Sequence, residues 1–384
     1  MFSKFLDYYK EDYFSSRKSF REISNQVLKN LNLKSSLFMG KIPVSSKRHP
    51  DLTVDYTFLP AKKKSMNTVI LVSGTHGVEA ATGAAIQRMF LDSLYQKLVP
   101  RESTSVLLIH ALNPFGFVFD RRTTERNVDL NRNFSLDTDL FGTKNSGYVE
   151  LNDLLNPKGK ANSKKLTSLF FPIRAIYNIA TKGMSAIRQA ALQGQYSFPE
   201  GIYFGGAQFE PICKPTQELL QKAVSGAKKV LFIDFHTGYG ERGKLHLFSG
   251  RPLREENKDL TEEVFSGYPI EWPDSENFYP TTGEIIDFVT GLVKKSTDCV
   301  SMVFEYGTLN SQTIRGSIES MKRLILENQG FVYGFSSTSE ERKIRTKFRE
   351  LFFPKCPKWR ETTLTQTAKV FENIFPRFLS DRNH

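Results

Sequence analysis

Apolar residues along this chain follow two periods. From Tyr13 to Leu31 they recur at helical spacing, with Phe14, Phe20, Ile23, Val27 and Leu31 as the stripe. Ala80 to Leu98 reads as a second helix. Between and after these lie short apolar runs of strand length: Leu52–Leu59, Val69–Val72, Val106–Ile109, Val230–Ile233 and Val300–Phe304. Strands alternating with helices predict an α/β fold, a sheet with helices on both faces. Each later run ends on a polar residue. Val69–Val72 passes through Ser73-Gly74 to His76 and Glu79, Val106–Ile109 ends at His110, Val230–Ile233 at Asp234-Phe235-His236, and Val300–Phe304 at Glu305. In open α/β sheets ligands bind beyond the carboxyl ends of the strands, so these residues are the candidates for chemistry.

Residues 135–206 break the alternation. They open as a polar loop (Asn156-Pro-Lys-Gly-Lys-Ala-Asn-Ser-Lys-Lys), continue as an apolar helix from Leu166 to Leu192, and end in a turn-rich run through Gly194 and Gly205-Gly206. The expectation is an insertion packed on a single catalytic domain spanning 1–384. Arg174, Lys182 and Arg188 do not make the dense basic face of a membrane-surface helix.

Charge changes this picture little. The net charge is +12, but the basic residues are scattered, the longest run is Lys62-Lys63-Lys64, and no nucleic-acid motif accompanies them. A solvated surface is the expectation, with no nucleic-acid partner. The 32 Phe point to aromatic packing. Three separated cysteines, Cys213, Cys299 and Cys356, form no disulfide framework or CxxC pair, so a reducing compartment is expected. No signal-peptide core and no apolar run of membrane-spanning length is visible, which predicts a cytoplasmic protein.

A hydrolytic zinc site uses three protein ligands and keeps one position open. His76 and Glu79, three residues apart at a strand exit, supply two. The chain has only six His, and His236, at a strand end before glycines, is the best third ligand, with His110 as the alternative. Glu305 ends a buried strand and suits a general base. Asn131-Arg132 places neutral donors beside a guanidinium fork, a clamp for a substrate carboxylate. Arg121, Arg122 and Arg126 offer cations for a developing oxyanion. A serine hydrolase and a nucleotide-binding protein are disfavoured, because neither a Gly-x-Ser-x-Gly elbow nor a Gly-x4-Gly-Lys-Ser/Thr loop is present.

In order, His76-x-x-Glu79, Asn113-Pro114-x-Gly116 with its arginines, Asp129-Leu-Asn-Arg-Asn-Phe134, His236 and Glu305-x-Gly-Thr308 resemble the zinc-carboxypeptidase superfamily. That superfamily includes the aspartoacylase and succinylglutamate-desuccinylase deacylases. The nearest resemblance is to an uncharacterised, mostly bacterial branch known as a domain of unknown function, which shares Ser73–Glu79, Asn113–Phe134, Gly194-Gln-Tyr, Asp234–Gly238 and Glu305–Thr308. The resemblance implies an α/β fold with a mixed, mostly parallel central sheet and helices on both faces, and one Zn2+ per chain on His76, Glu79 and His236, with Glu305 as general base. It implies Asn131 and Arg132 on a substrate carboxylate, and Arg122, with Arg121 close behind, on the oxyanion. The run Tyr279-Pro-Thr-Thr-Gly283-Glu-Ile-Ile286 resembles the mobile-tyrosine loop of carboxypeptidases. On that match Tyr279 caps the substrate and Ile286 lies near its side-chain pocket. The implied activity is hydrolysis of an amide or peptide bond next to a free carboxylate. The alternatives are deacylation of small N-acyl amino acids and a non-catalytic ligand-binding module. Ordinary carboxypeptidases lack the 135–206 segment, which as a cover over the cleft would restrict substrates to small ones.

Overall fold

The computed structural model describes residues 4–273 and 281–380. Its centre is one eight-stranded sheet: β1 (Met39–Pro43), β2 (Thr53–Leu59), β3 (Asn67–Ser73), β4 (Thr104–His110), β5 (Lys229–Thr237), β6 (Leu245–Ser249), β7 (Ile270–Glu271) and β8 (Asp298–Tyr306). The spatial order is β1-β2-β4-β3-β5-β8-β6-β7. The inner strands β4, β3, β5 and β8 run parallel, and so do β6 and β7. β2 joins β1 and β4 antiparallel, and β6 joins β8 antiparallel. The sheet is therefore the mixed, mostly parallel one that the resemblance implies, within the α/β class that the alternating pattern predicts.

The inner strands are buried on both faces, which is why they read as continuous apolar runs. Successive residues point to opposite sides. Val69, Leu71, Leu231 and Ile233 enter one core, with Phe20 and the aromatic face of the Pro357–Leu379 helix. Ile70, Val72, Val230 and Phe232 enter the other, with Leu220 and Ile285. The first long helix spans Tyr13–Asn30 and buries Tyr13, Phe20, Val27 and Leu28. Phe14 leaves the predicted stripe and is 43% exposed, ring to ring with His49. The Ala80–Leu98 helix is continuous but widens to a π-type turn over Phe90–Leu94.

Residues 135–206 carry the helices Ser146–Leu155, Leu166–Lys182 and Met184–Leu192. The single helix expected from Leu166 to Leu192 is two, divided at Gly183, whose φ of 84° a non-glycine residue rarely adopts. These helices share a third apolar cluster with Ile314–Tyr333 and Thr338–Phe352, including Tyr148, Leu151, Phe171, Leu324 and Phe352. The outer side of Leu166–Lys182 exposes Phe170, Ile173, Ile176 and Tyr177. Among the described residues no helix is long and apolar enough to cross a membrane.

Candidate active site

The parallel run β3, β5 and β8 brings three strand ends together. Ser73 pairs with Phe235, and His236 with Glu305, so the residues following β3 and the ends of β5 and β8 share one edge. The chain leaves β3 through Gly74, at φ 72°, where a Cβ would lie 2.7 Å from that of Ala80. Gly77 packs against the Gly116 backbone, which a Cβ would meet at 2.3 Å. This tight turn aims His76 and Glu79 back at β5.

The donor atoms converge. His76 Nδ1 lies 3.0 Å from His236 Nδ1 and 3.0 Å from Glu79 Oε1, and His236 Nδ1 lies 3.1 Å from Glu79 Oε2. All three residues are buried. The far nitrogen of each ring is held by a carboxylate: His76 Nε2 by Asp129 Oδ1 at 3.0 Å, and His236 Nε2 by Asp234 Oδ2 at 2.7 Å. An ionised carboxylate only accepts, so each Nε2 carries a proton, and each Nδ1 is left facing inward for a cation or, on His236 without one, for a second proton. Thr75 Oγ1 donates to Asp234 and the Thr237 N–H to Glu79, fixing the carboxylates in turn.

This donor set fits a cation. Two imidazole nitrogens and the Glu79 carboxylate face one point, and Asp129 and Asp234 back the two rings, the former against Arg122. Among the described residues it is also the one His, Cys, Asp and Glu group with metal-ligand geometry. The protonation tendencies say the same. Burial raises the Glu79 pKa, but His76 and His236 outweigh it and hold the carboxyl below its usual range. Burial lowers that of His236, but Asp234 and Glu79 outweigh it and raise it well above the ordinary value. Without a metal, a proton on His236 provides the positive charge that the site demands. Replacing Asp234 with Asn should weaken the affinity of this cluster for a divalent cation about ten- to a hundredfold. Competition with a chromogenic chelator measures it, and unchanged affinity would remove Asp234 from the ligand support.

Glu305 is buried, with Oε1 accepting the Tyr239 N–H at 2.8 Å. Burial first, then the charge on Glu79, pushes its pKa up to about 8. Arg122 donates through Nε to Asp129 Oδ2 at 2.9 Å, reaches Glu79 at 3.5 Å, and lies over the Tyr203 ring. Asn131 Oδ1 accepts the Ile285 N–H at 3.1 Å. Arg132 donates through Nε and an Nη to the Leu192 carbonyl and faces Glu284 at 3.5 Å through the other Nη. His76, Glu79, Arg122, Asn131, Arg132, His236, Glu305 and Ile286 line one cavity of about 250 Å3.

The structure does not bring every expected residue there. Arg121 points away: Thr123, Asn127 and Asn328 accept from its guanidinium, Glu327 lies 3.4 Å off, and Phe331 stacks on it at 3.3 Å. His110 is in the core, with Ser16 Oγ 3.0 Å away and Phe20 stacked on it, and burial pushes its pKa down to about 3. Tyr279 lies outside the described residues. Asp129, Asp234, Tyr203 and Glu284 were not among the expected site residues. Asp234 was readable, because residues two apart on a strand share a face.

A mixed α/β sheet with a buried His-Glu-His cluster at its carboxyl edge is the class that fold and site define. A family model described as "Protein of unknown function (DUF2817)" matches residues 9–366, and the chain belongs to that family. It is the branch to which the motifs pointed. No curated protein matches the chain. Similar solved structures include bovine thrombin-activatable fibrinolysis inhibitor in complex with tick carboxypeptidase inhibitor, at 16% identity and TM-score 0.45, over 84% of this chain and 96% of that one. Another is carboxypeptidase A from Helicoverpa armigera, at 11% identity and TM-score 0.42, over 85% and 71%. A third is an aspartoacylase family protein from Mesorhizobium loti, at 12% identity and TM-score 0.38, over 75% and 66%.

Proposed function

We propose that the protein is a zinc-dependent hydrolase that cleaves an amide bond next to a free carboxylate. The observation that carries this reading is the convergence of His76, Glu79 and His236 in a cavity also lined by Glu305, Arg122 and Arg132. Zinc held by the first three residues would supply Lewis acidity. Glu305 takes a proton from the attacking water and passes it to the leaving nitrogen. Its raised pKa makes it a stronger base than a solvated carboxylate. Arg122, fixed by Asp129, donates to the oxyanion that develops on the scissile carbonyl. Asn131 and the Arg132 Nη beside Glu284 orient the substrate carboxylate.

Two measurements test this reading: zinc content of the purified chain, and hydrolysis of matched panels of blocked dipeptides and N-acyl amino acids. About one zinc per chain with turnover on either panel supports it. A chain that binds no zinc tightly and turns over neither panel returns the ligand-binding alternative. Arg122→Gln should lower kcat by about 10²- to 10³-fold while KM changes far less. Steady-state kinetics on the better panel would show it, and an effect confined to KM would assign Arg122 to binding instead.

A further inference from the structure

One cavity carries two linings. Strand ends and the turns after them supply its polar groups. The helices Ser146–Leu155, Leu166–Lys182, Met184–Leu192, Ile314–Tyr333 and Thr338–Phe352 supply an apolar wall, with Leu154, Phe171, Ala175, Ile179, Met321 and Leu324 among its residues. The polar side chains that these five helices add are Arg188, Ser317 and Ser320, and Arg188 donates to the Ser311 and Gln312 carbonyls.

That wall discriminates between amide substrates. An extended peptide laid along it would bury N–H and C=O groups with almost nothing to pair them. An unbranched hydrocarbon has no such groups and gains from every buried methylene. We propose that the helix-lined part of the cavity is an acyl-chain site, which makes the substrate a long-chain N-acyl amino acid. The inference rests on the hydrolase reading. Water adds its hydroxyl to the acyl carbonyl carbon, the C–N bond breaks, and the nitrogen takes the proton that Glu305 carries. The products are a fatty acid and a free amino acid. On this proposal the 135–206 helices build part of the wall for the acyl chain.

The test uses the full chain loaded with zinc, and a series of N-acetyl, N-octanoyl and N-dodecanoyl derivatives of one amino acid, beside blocked dipeptides. The expected kcat/KM rises about two- to fourfold per added methylene until the chain fills the cavity. Calorimetric binding of octanoate and dodecanoate to the metal-free protein gives a readout independent of turnover, and the longer acid should bind more tightly. Ala175→Phe and Ile179→Phe both fill the wall, so one misfolded variant does not end the test. Either should cut the dodecanoyl-to-acetyl ratio, and the affinity for dodecanoate, at least tenfold. Binding and turnover that ignore chain length, or dipeptides cleaved better than any acyl derivative, would overturn the acyl-chain site. Chain-length-dependent binding without turnover of any substrate would keep that site and sink the hydrolase reading.

Discussion

Glu305→Gln should lower kcat by at least about 10³-fold and leave zinc in place. General-base catalysis contributes about 10²- to 10⁴-fold, and the other carboxylates there are engaged: Asp129 and Asp234 by the imidazoles, Glu79 by both histidines, and Glu284 beside Arg132. Gln keeps an oxygen for the Tyr239 N–H, so the loop after β5 need not move. The pH profile should carry the same signature. Glu305 acts only when ionised, so kcat/KM falls as pH drops through its pKa. Burial and Glu79 place that pKa at about 8 in the metal-free chain. A bound cation favours the ionised form, so the acid limb of the holoenzyme should lie below about 8 yet above the ordinary glutamate value of about 4.3.

Linkage adds a test without substrate. A carboxyl whose pKa is raised on folding favours the fold while neutral, and that contribution is lost as pH rises from about 4.3 towards about 8. Metal-free Glu305→Gln should therefore melt higher than the metal-free wild type at pH 8, and the gap should close near pH 4.5. A variant that keeps wild-type turnover would remove Glu305 from the role of base, and a gap that does not change with pH would show that its carboxyl is not raised by folding.

Sequence made the strand ends legible because inner parallel strands are apolar throughout and stop on polar residues. His76, His236 and Glu305 are marked by that change, and so is His110, which the fold keeps in the core. The short strands β1, β6 and β7 carried no such mark. They lie towards the sheet margins, half exposed, and have two to five residues each. Arg121 and Arg122 were inseparable because they sit in a loop, where no period decides which neighbour faces the cavity. The fold decides it: Asp129 draws in Arg122, and Glu327 with Phe331 captures Arg121. Asp129 opens the Asp129–Phe134 motif, but its hold on His76 spans 53 residues and depends on the intervening loop. The apolar wall was not legible at all. It joins helices from 146–192 to helices from 314–352, and only the tertiary packing brings them together.

Stripping the metal should abolish hydrolysis, and zinc alone should restore it. It should also lower the melting temperature, because a ligand at a thousandfold excess over its Kd stabilises the folded chain by about 4 kcal/mol. For a chain of this length that is a shift of several degrees. The size of the shift should depend on pH. His236 holds a proton in the metal-free site, and the metal must displace it, so zinc binding releases protons and weakens as pH falls. Calorimetry in buffers of different ionisation enthalpy counts the released protons. His236→Ala separates this arm from the base: it should lose both the zinc-dependent shift and turnover, whereas Glu305→Gln should lose turnover alone. Were the His236→Ala melting temperature to respond to zinc as the wild type does, the metal would lie elsewhere, and the convergence of His76, Glu79 and His236 would be a proton-holding cluster instead.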